Sequence, residues 1–357
     1  MDPVSLIPTP DTIPVPWGWF QLLLSLTFYL HVVAMNIMLG TALIAFFHSL
    51  KKNHPGDTDI VRDISSQLPF TMAFAINFGV APLLFAQVLY GHFLYTSSIL
   101  MAGFWLSVVP VLIVAYYLAY IFRLRFDSPA GARPFLIGGA SLLLLLIGFI
   151  FSNNLTLMQR PEVWHRFFSR PDGWLLNLDD PALFPRYLHF VLSALATGGL
   201  AIALFGDFKH RRGDPDASRR IHLGLGWFSY ATLANLGIGI WFFMMLPAAV
   251  RDFTTPAGKW LGIVLAAGIA AGILAIVWGF RLRVRACLCA TMTGIFIMVI
   301  ARDLVRASYL QPYFSPADLV VTGQYSPLII FLAFFAAGLL LIGWMVKLAF
   351  STGRAGS

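Results

Sequence analysis

Long apolar runs separated by short polar stretches set the pattern of this chain. Nine of them reach the about 20 residues that a helix needs to cross the hydrocarbon of a bilayer. They lie near 18–48, 69–97, 100–122, 134–152, 185–206, 222–249, 259–280, 286–305 and 326–349. The runs are too long and too continuously apolar for the alternating strands of an outer-membrane barrel, whereas helices satisfy their own backbone in lipid. The expected fold is therefore all-α, a polytopic single membrane domain over residues 1–357 with an outer loop at 153–184. The first, second and sixth spans are long enough to tilt, kink or project beyond the membrane.

The second span departs most from a plain apolar pattern. From Phe70 to Ser98 it carries Asn77, Gly79, Pro82, Gln87, Gly91 and His92. Polar groups at that depth are costly and usually face a bundle interior, a cavity or a ligand. Gly79, Pro82 and Gly91 permit a kink or the close approach of a flat group.

Composition agrees with the pattern: 59% of residues are hydrophobic and 11% charged, against roughly 25% charged in soluble domains. The net charge of +8 raises the question of nucleic acid, but the bases lie in loops between spans, where the positive-inside rule accounts for them. With the N-terminus outside, inner segments hold 16 of the 24 Lys and Arg. The outer bases Arg160, Arg166, Arg170, Arg186, Arg251, Lys259, Arg302 and Arg306 travel with acids such as Glu162, Asp172, Asp252 and Asp303. The expected topology is N-terminus outside and C-terminus inside, and the basic inner loops read as topology determinants, not as a lipid-recognition site. The N-terminus lacks a basic n-region, so no cleaved signal peptide is expected. Cys287 and Cys289 offer neither a disulfide framework nor a zinc site, and no C-x-x-C-H exists for covalent haem attachment.

Candidate chemistry gathers toward the outer boundary. His92, His189, Met244 and Met245 all fall within roughly 10 Å of it at about 1.5 Å per residue. Arg251, Asp252, Arg302, Asp303 and Arg306 lie at the same level. Histidines with cations at one depth suit a b-type haem, imidazole on iron and guanidinium on propionate. Along the fifth span, Ser193, Ala196 and Thr197 share the face of His189, a stripe that suits either a macrocycle or helix packing. His31 lies well inside the first span above Met35 and Met38, as a ligand or as core filling. His48, His54, His210 and His222 read as surface residues of the inner ends, and His165 as interfacial. Trp164, Phe167, Phe168 and Trp174 of the outer loop suit the membrane interface, as part of a lid, a docking platform or an interfacial loop.

These residues resemble the large subunit of cytochrome bd-type quinol oxidases. That family has nine helices and an outer N-terminus. Its first helix carries a haem-ligand histidine in H-F-L-F-V-P-L-T-L-G, and this chain reads H-V-V-A-M-N-I-M-L-G from His31 to Gly40. Its haem b ligand in K-F-V-H-T-x-x-x-x-x-x-T-G aligns with R-Y-L-H-F-V-L-S-A-L-A-T-G from Arg186 to Gly198, which puts His189 on the ligand. G-V-A-T-G-x-x-M-E-F-Q-F-G aligns without a gap with G-V-A-P-L-L-F-A-Q-V-L-Y-G from Gly79 to Gly91. E-x-G-R-Q-P-W, whose glutamate binds a high-spin haem, is similar to D-L-V-R-A-S-Y from Asp303 to Tyr309. The departures bear on function. Gln87 replaces the family's buried glutamate, the quinol-binding loop shrinks to about Ala248–Gly258, and the seventh helix lacks the methionine that ligates the low-spin haem. By this resemblance His92, Met244 or Met245 stands in for that methionine.

The reading that follows is a haem b-binding electron-transfer subunit of a respiratory complex in a bacterial inner membrane. It exchanges electrons between the quinol pool and a separate periplasmic c-type cytochrome or iron–sulfur protein. It is an oxidoreductase component of quinol-dehydrogenase type, with iron held by His189, His92 and His31. The alternatives are a bd-type quinol:oxygen oxidoreductase using His31, His189 and Asp303, and a haem-free assembly or transport subunit.

Overall fold

The computed structural model describes residues 2–50, 55–127 and 130–352. Among them, nine helices are long and apolar enough to cross a membrane. These are α1 (Trp17–Ser49), α2 (Pro55–Leu100), α3 (Ala102–Leu124), α4 (Arg133–Met158), α5 (Leu183–His210), α6 (Ala217–Met245), α7 (Pro256–Phe280), α8 (Val284–Leu310) and α9 (Ser326–Thr352). Every expected span is present. The largest difference is at α2, which begins at Pro55 instead of near 69. Its added turns are polar overall, yet Ile60, Val61, Ile64 and Leu68 are buried, a one-sided apolar stripe that anchors a projecting amphipathic extension. Of the three positions expected to permit a kink, Gly79, Pro82 and Gly91, it is the last that adjoins one. Pro82 is accommodated within the helix, and the non-helical residue is Tyr90, at φ −131° and ψ 25°, beside Gly91.

α1 is central, packing on α2, α4, α5 and α8, while α5 pairs with α6, α3 with α4, and α7 with α8. Glycines make two of these approaches possible. A Cβ on Gly40 would overlap the Ala194 carbonyl, and one on Gly198 would meet the Gly40 backbone at 2.5 Å. Gly199 and Gly224 close the α5–α6 seam in the same way. Small residues at such crossings let backbones approach where lipid gives no hydrophobic drive. Gly198→Leu should therefore force α1 from α5 and lower stability by about 1–3 kcal/mol. Gly226→Ala, with open space around it, should leave the melting curve in detergent unchanged.

α9 is the exception to this packing. None of its most apolar 18 residues is buried, whereas Leu328 in the first turn is, and its contact with the bundle is at its first turns, where Phe331 meets Phe85 edge-on at 6.0 Å. A helix apolar on every side is suited to lipid contact. The end of the bundle at which α1 begins is capped by its loops. Ile13 donates to Val320 and accepts from Thr322, both at 2.9 Å, tying the segment before α1 to that before α9. Trp164, expected at the interface, is instead 2% exposed beneath this cap, where Nε1 donates to the Leu157 carbonyl. Phe168 and Trp174 are exposed. His48 also differs from expectation: it is buried and accepts a hydrogen bond from Trp227 Nε1. His210 and His222 are exposed, and His54 lies outside the described residues.

Candidate functional site

The last turns of α8 carry Arg302, Asp303 and Arg306 into the bundle, where α1 and α2 supply the polar partners. One Asp303 oxygen, Oδ1, accepts from Arg306 Nη2 at 2.7 Å and Arg302 Nη1 at 3.2 Å. The other, Oδ2, accepts from Ser25 Oγ at 2.7 Å and Gln21 Nε2 at 2.9 Å. Tyr90, freed from helical geometry by the kink, donates to Gln21 Oε1 at 3.4 Å. Its ring lies 4.3 Å below the Arg306 guanidinium, and Phe28 lies 4.0 Å from that of Arg302. Arg306 is 1% exposed, and its Nε has no acceptor.

A third guanidinium joins this group from α5. Arg186 is buried and donates to two neutral oxygens on or beside α4, Thr156 Oγ1 at 3.2 Å and Gln159 Oε1 at 3.0 Å. Phe242 of α6 lies 5.4 Å from its Cζ. Its charge and that of Arg306 both bear on Arg302, with Asp303 the opposing carboxylate. Asp303 thus serves Arg302 and Arg306, while Arg186 lies in the field of buried Asp180, which Arg160 engages at 2.9 Å. Buried charge without a counter-charge is strongly unfavourable, and with Arg160 and Glu162 counted the four guanidiniums exceed the three carboxylates by one, a balance that favours an added anion. Arg186 looked from its position like an outer-loop base, and its burial depends on how α4 and α6 pack against α5.

His189 sits one helical turn deeper than Arg186 on the same face of α5. Its half-buried ring lies beside Gly239, where an added Cβ would come within 3.5 Å of Nδ1. Among the described residues that Nδ1 has no partner at hydrogen-bond geometry, although the ring is within reach of the Asn235 backbone carbonyl. The small stripe below it serves packing: Ser193 accepts from Asn235 Nδ2 at 2.8 Å, and Ala196 and Thr197 are buried.

His31 lies against α2, with Nδ1 3.0 Å from the Ala75 carbonyl and Gly79 beside its ring. A carbonyl can only accept, so Nδ1 carries the proton and Nε2 the lone pair, the state that suits a metal-ligating imidazole. Nine residues separate His31 from Gly40, and nine separate His189 from Gly198. At about 100° per residue each pair is about two and a half turns apart and so lies on opposite faces of its helix. Since the two glycines face each other, the two imidazoles point away from the α1–α5 seam, one toward α2 and one toward α6. His92 occupies a third setting in the cap, 4.4 Å from the Phe93 ring and 4.5 Å from Phe314, its Nε2 without a partner. Among the described residues, no ring contact or hydrogen bond joins any two of these histidines.

The remaining candidates are peripheral. Met244 and Gln87 are exposed on the bundle surface, and Met245 is half-buried. Arg251 and Asp252, expected as a charge pair, do not pair. Arg251 Nε donates to the Leu246 carbonyl at 2.9 Å. Asp252 accepts from the Thr254 hydroxyl and backbone N–H, which together hold its carboxyl below the usual range. Adjacent in sequence, the two are drawn apart by a turn that uses each side chain to satisfy backbone or hydroxyl groups. Neither a protein-family model nor a curated protein matches this chain.

Proposed function

We propose that this chain is a haem b-binding membrane subunit that passes electrons between a quinol pool and a redox protein on the side where α1 begins. The observation that carries the reading is buried Arg186, one turn from His189, whose hydrogen bonds go to neutral oxygens and which makes no ion pair among the described residues. The residues fit the cofactor: His189 offers an imidazole nitrogen without a hydrogen bond, Arg186, Arg302 and Arg306 offer charge for two propionates, and His31 is held with Nε2 free to ligate. Bound there, haem would supply reversible one-electron transfer. Asp303 orients Arg302 and Arg306, and Gln21 and Ser25 hold Asp303 in turn.

The positive-inside count supports an outer position for this end, in a bacterial inner membrane. The acceptor or donor there, a c-type cytochrome or an iron–sulfur protein, is a separate chain. Quinol reaches the site in this chain or at a subunit boundary. Direct oxygen reduction of the bd type is the second reading, and two features weigh against it. Asp303 has both oxygens engaged by four donors, which leaves it poorly placed to ligate iron. Gln87, where the resembling family has an acid, carries no exchangeable carboxyl proton.

A reduced-minus-oxidised spectrum of the purified protein should show the α band of haem b. Stopped-flow mixing should show reduction by a quinol analogue and reoxidation by the partner cytochrome, with slow reoxidation by air. Fast oxygen turnover without the partner would restore the oxidase. A colourless, folded protein would leave the haem-free alternative.

A further inference from the structure

At the opposite end of the bundle, basic residues of α2 and α4 meet around Phe126, which follows α3 and is 4% exposed. Arg62 lies 4.9 Å from the ring centroid and Arg133 4.4 Å. Arg62 is neutralised by Asp127 through two hydrogen bonds, of 2.6 and 3.3 Å. Arg133 spends only Nε, donated to the Phe126 carbonyl at 2.8 Å. Arg123, one helical turn before Phe126, rests 5.0 Å from the Phe70 ring. Neither Arg123 nor Arg133 has a carboxylate partner among the described residues. Elsewhere at this end Lys209 and Arg220 reach Asp63 and Asp214, and Arg211 pairs with Asp207, while Arg212 rests 4.1 Å from the Phe208 ring on a different helix end.

Two aromatic-held guanidiniums with free Nη groups are therefore left at the membrane boundary. Beside them stand bare apolar side chains, Leu124 at 79% and Phe135 at 81% exposure. Charge next to an exposed apolar surface matches an amphiphile whose phosphate meets the arginines and whose chains lie along α3 and α4. We infer that Arg123 and Arg133 form a binding site for the headgroup of an anionic phospholipid. The expectation that these bases serve topology alone does not account for two that are held in place yet unmatched.

Retention of phospholipid by the full-length protein tests this, using native mass spectrometry after exchange in nanodiscs of phosphatidylcholine with a minor fraction of phosphatidylglycerol. The wild type should retain phosphatidylglycerol in preference to phosphatidylcholine. Each basic residue near an anionic surface contributes about fivefold. Arg123→Gln should therefore lose about fivefold of that preference, and the double variant with Arg133→Gln about thirtyfold. Arg211→Gln, which removes a matched base, should leave it unchanged. Arg123 makes no hydrogen bond, so its variant should keep the wild-type melting temperature and can be judged even if the double variant fails to fold. Full retention by folded Arg123→Gln, no lipid preference in the wild type, or displacement by millimolar inorganic phosphate would overturn the lipid assignment.

Discussion

His189→Ala is expected to abolish the low-spin haem b signal, either by loss of the haem or by conversion to a five-coordinate, high-spin spectrum. Among the described residues, the ring is the one imidazole that combines an unbonded Nδ1, a glycine against its face and a buried guanidinium one turn away. Optical difference spectra with extracted-haem quantitation check this directly. Arg186→Gln separates an electrostatic role from a structural one. Removing positive charge near the iron destabilises the reduced form, so the midpoint potential should fall while haem content and spin state stay the same. His31→Ala reports on a second haem, since unchanged haem content would return His31 to a packing role against Ala75 and Gly79. A low-spin spectrum that survives His92→Ala but not Met244→Ala or Met245→Ala would assign the sixth ligand to methionine. An unaltered spectrum in His189→Ala would sink the ligand assignment.

Asp303→Asn should produce the largest loss of stability. The carboxylate is the counter-charge to two buried guanidiniums, with side-chain exposures of 15% for Asp303, 20% for Arg302 and 1% for Arg306. Removing one partner of such a group typically costs about 3–5 kcal/mol, because the remaining charge is left uncompensated. Reversible unfolding in mixed micelles is the measurement. Asp303→Asn combined with Arg306→Met should recover part of the loss, since it also removes the most deeply buried charge. If the single variant costs no more than about 1 kcal/mol, the range of exposed ion pairs, the cluster is not the electrostatic centre described above. In haem-loaded protein the same Asn substitution should raise the midpoint potential, opposite in sign to Arg186→Gln.

The number and place of the membrane helices were legible because span length and apolarity are local properties, readable one window at a time. The buried stripe Ile60, Val61, Ile64 and Leu68 was legible in principle too. Its short apolar face was hidden among charged neighbours that look like a loop. The polar character of the α8 end could be read from Arg302, Asp303 and Arg306 alone. Their arrangement could not, because it depends on Gln21, Ser25 and Tyr90 arriving from helices hundreds of residues distant in the chain.

The same division explains the other differences. Gly79, Pro82 and Gly91 all mark where α2 could bend, and the deviation falls beside the last of them, at Tyr90, where the ring lies under Arg306. Arg186 and Arg251 look alike in sequence as arginines near the capped end. Packing by α4 and α6 buries the first, and an exposed turn holds the second. By itself the sequence determined the all-α class, the nine spans and the chemical types available at each depth, since transfer into lipid acts on each segment separately. Only the tertiary structure decided which way His31, His92 and His189 face and which charges remain unmatched, because facing and pairing depend on the relative rotation of helices that no single segment encodes.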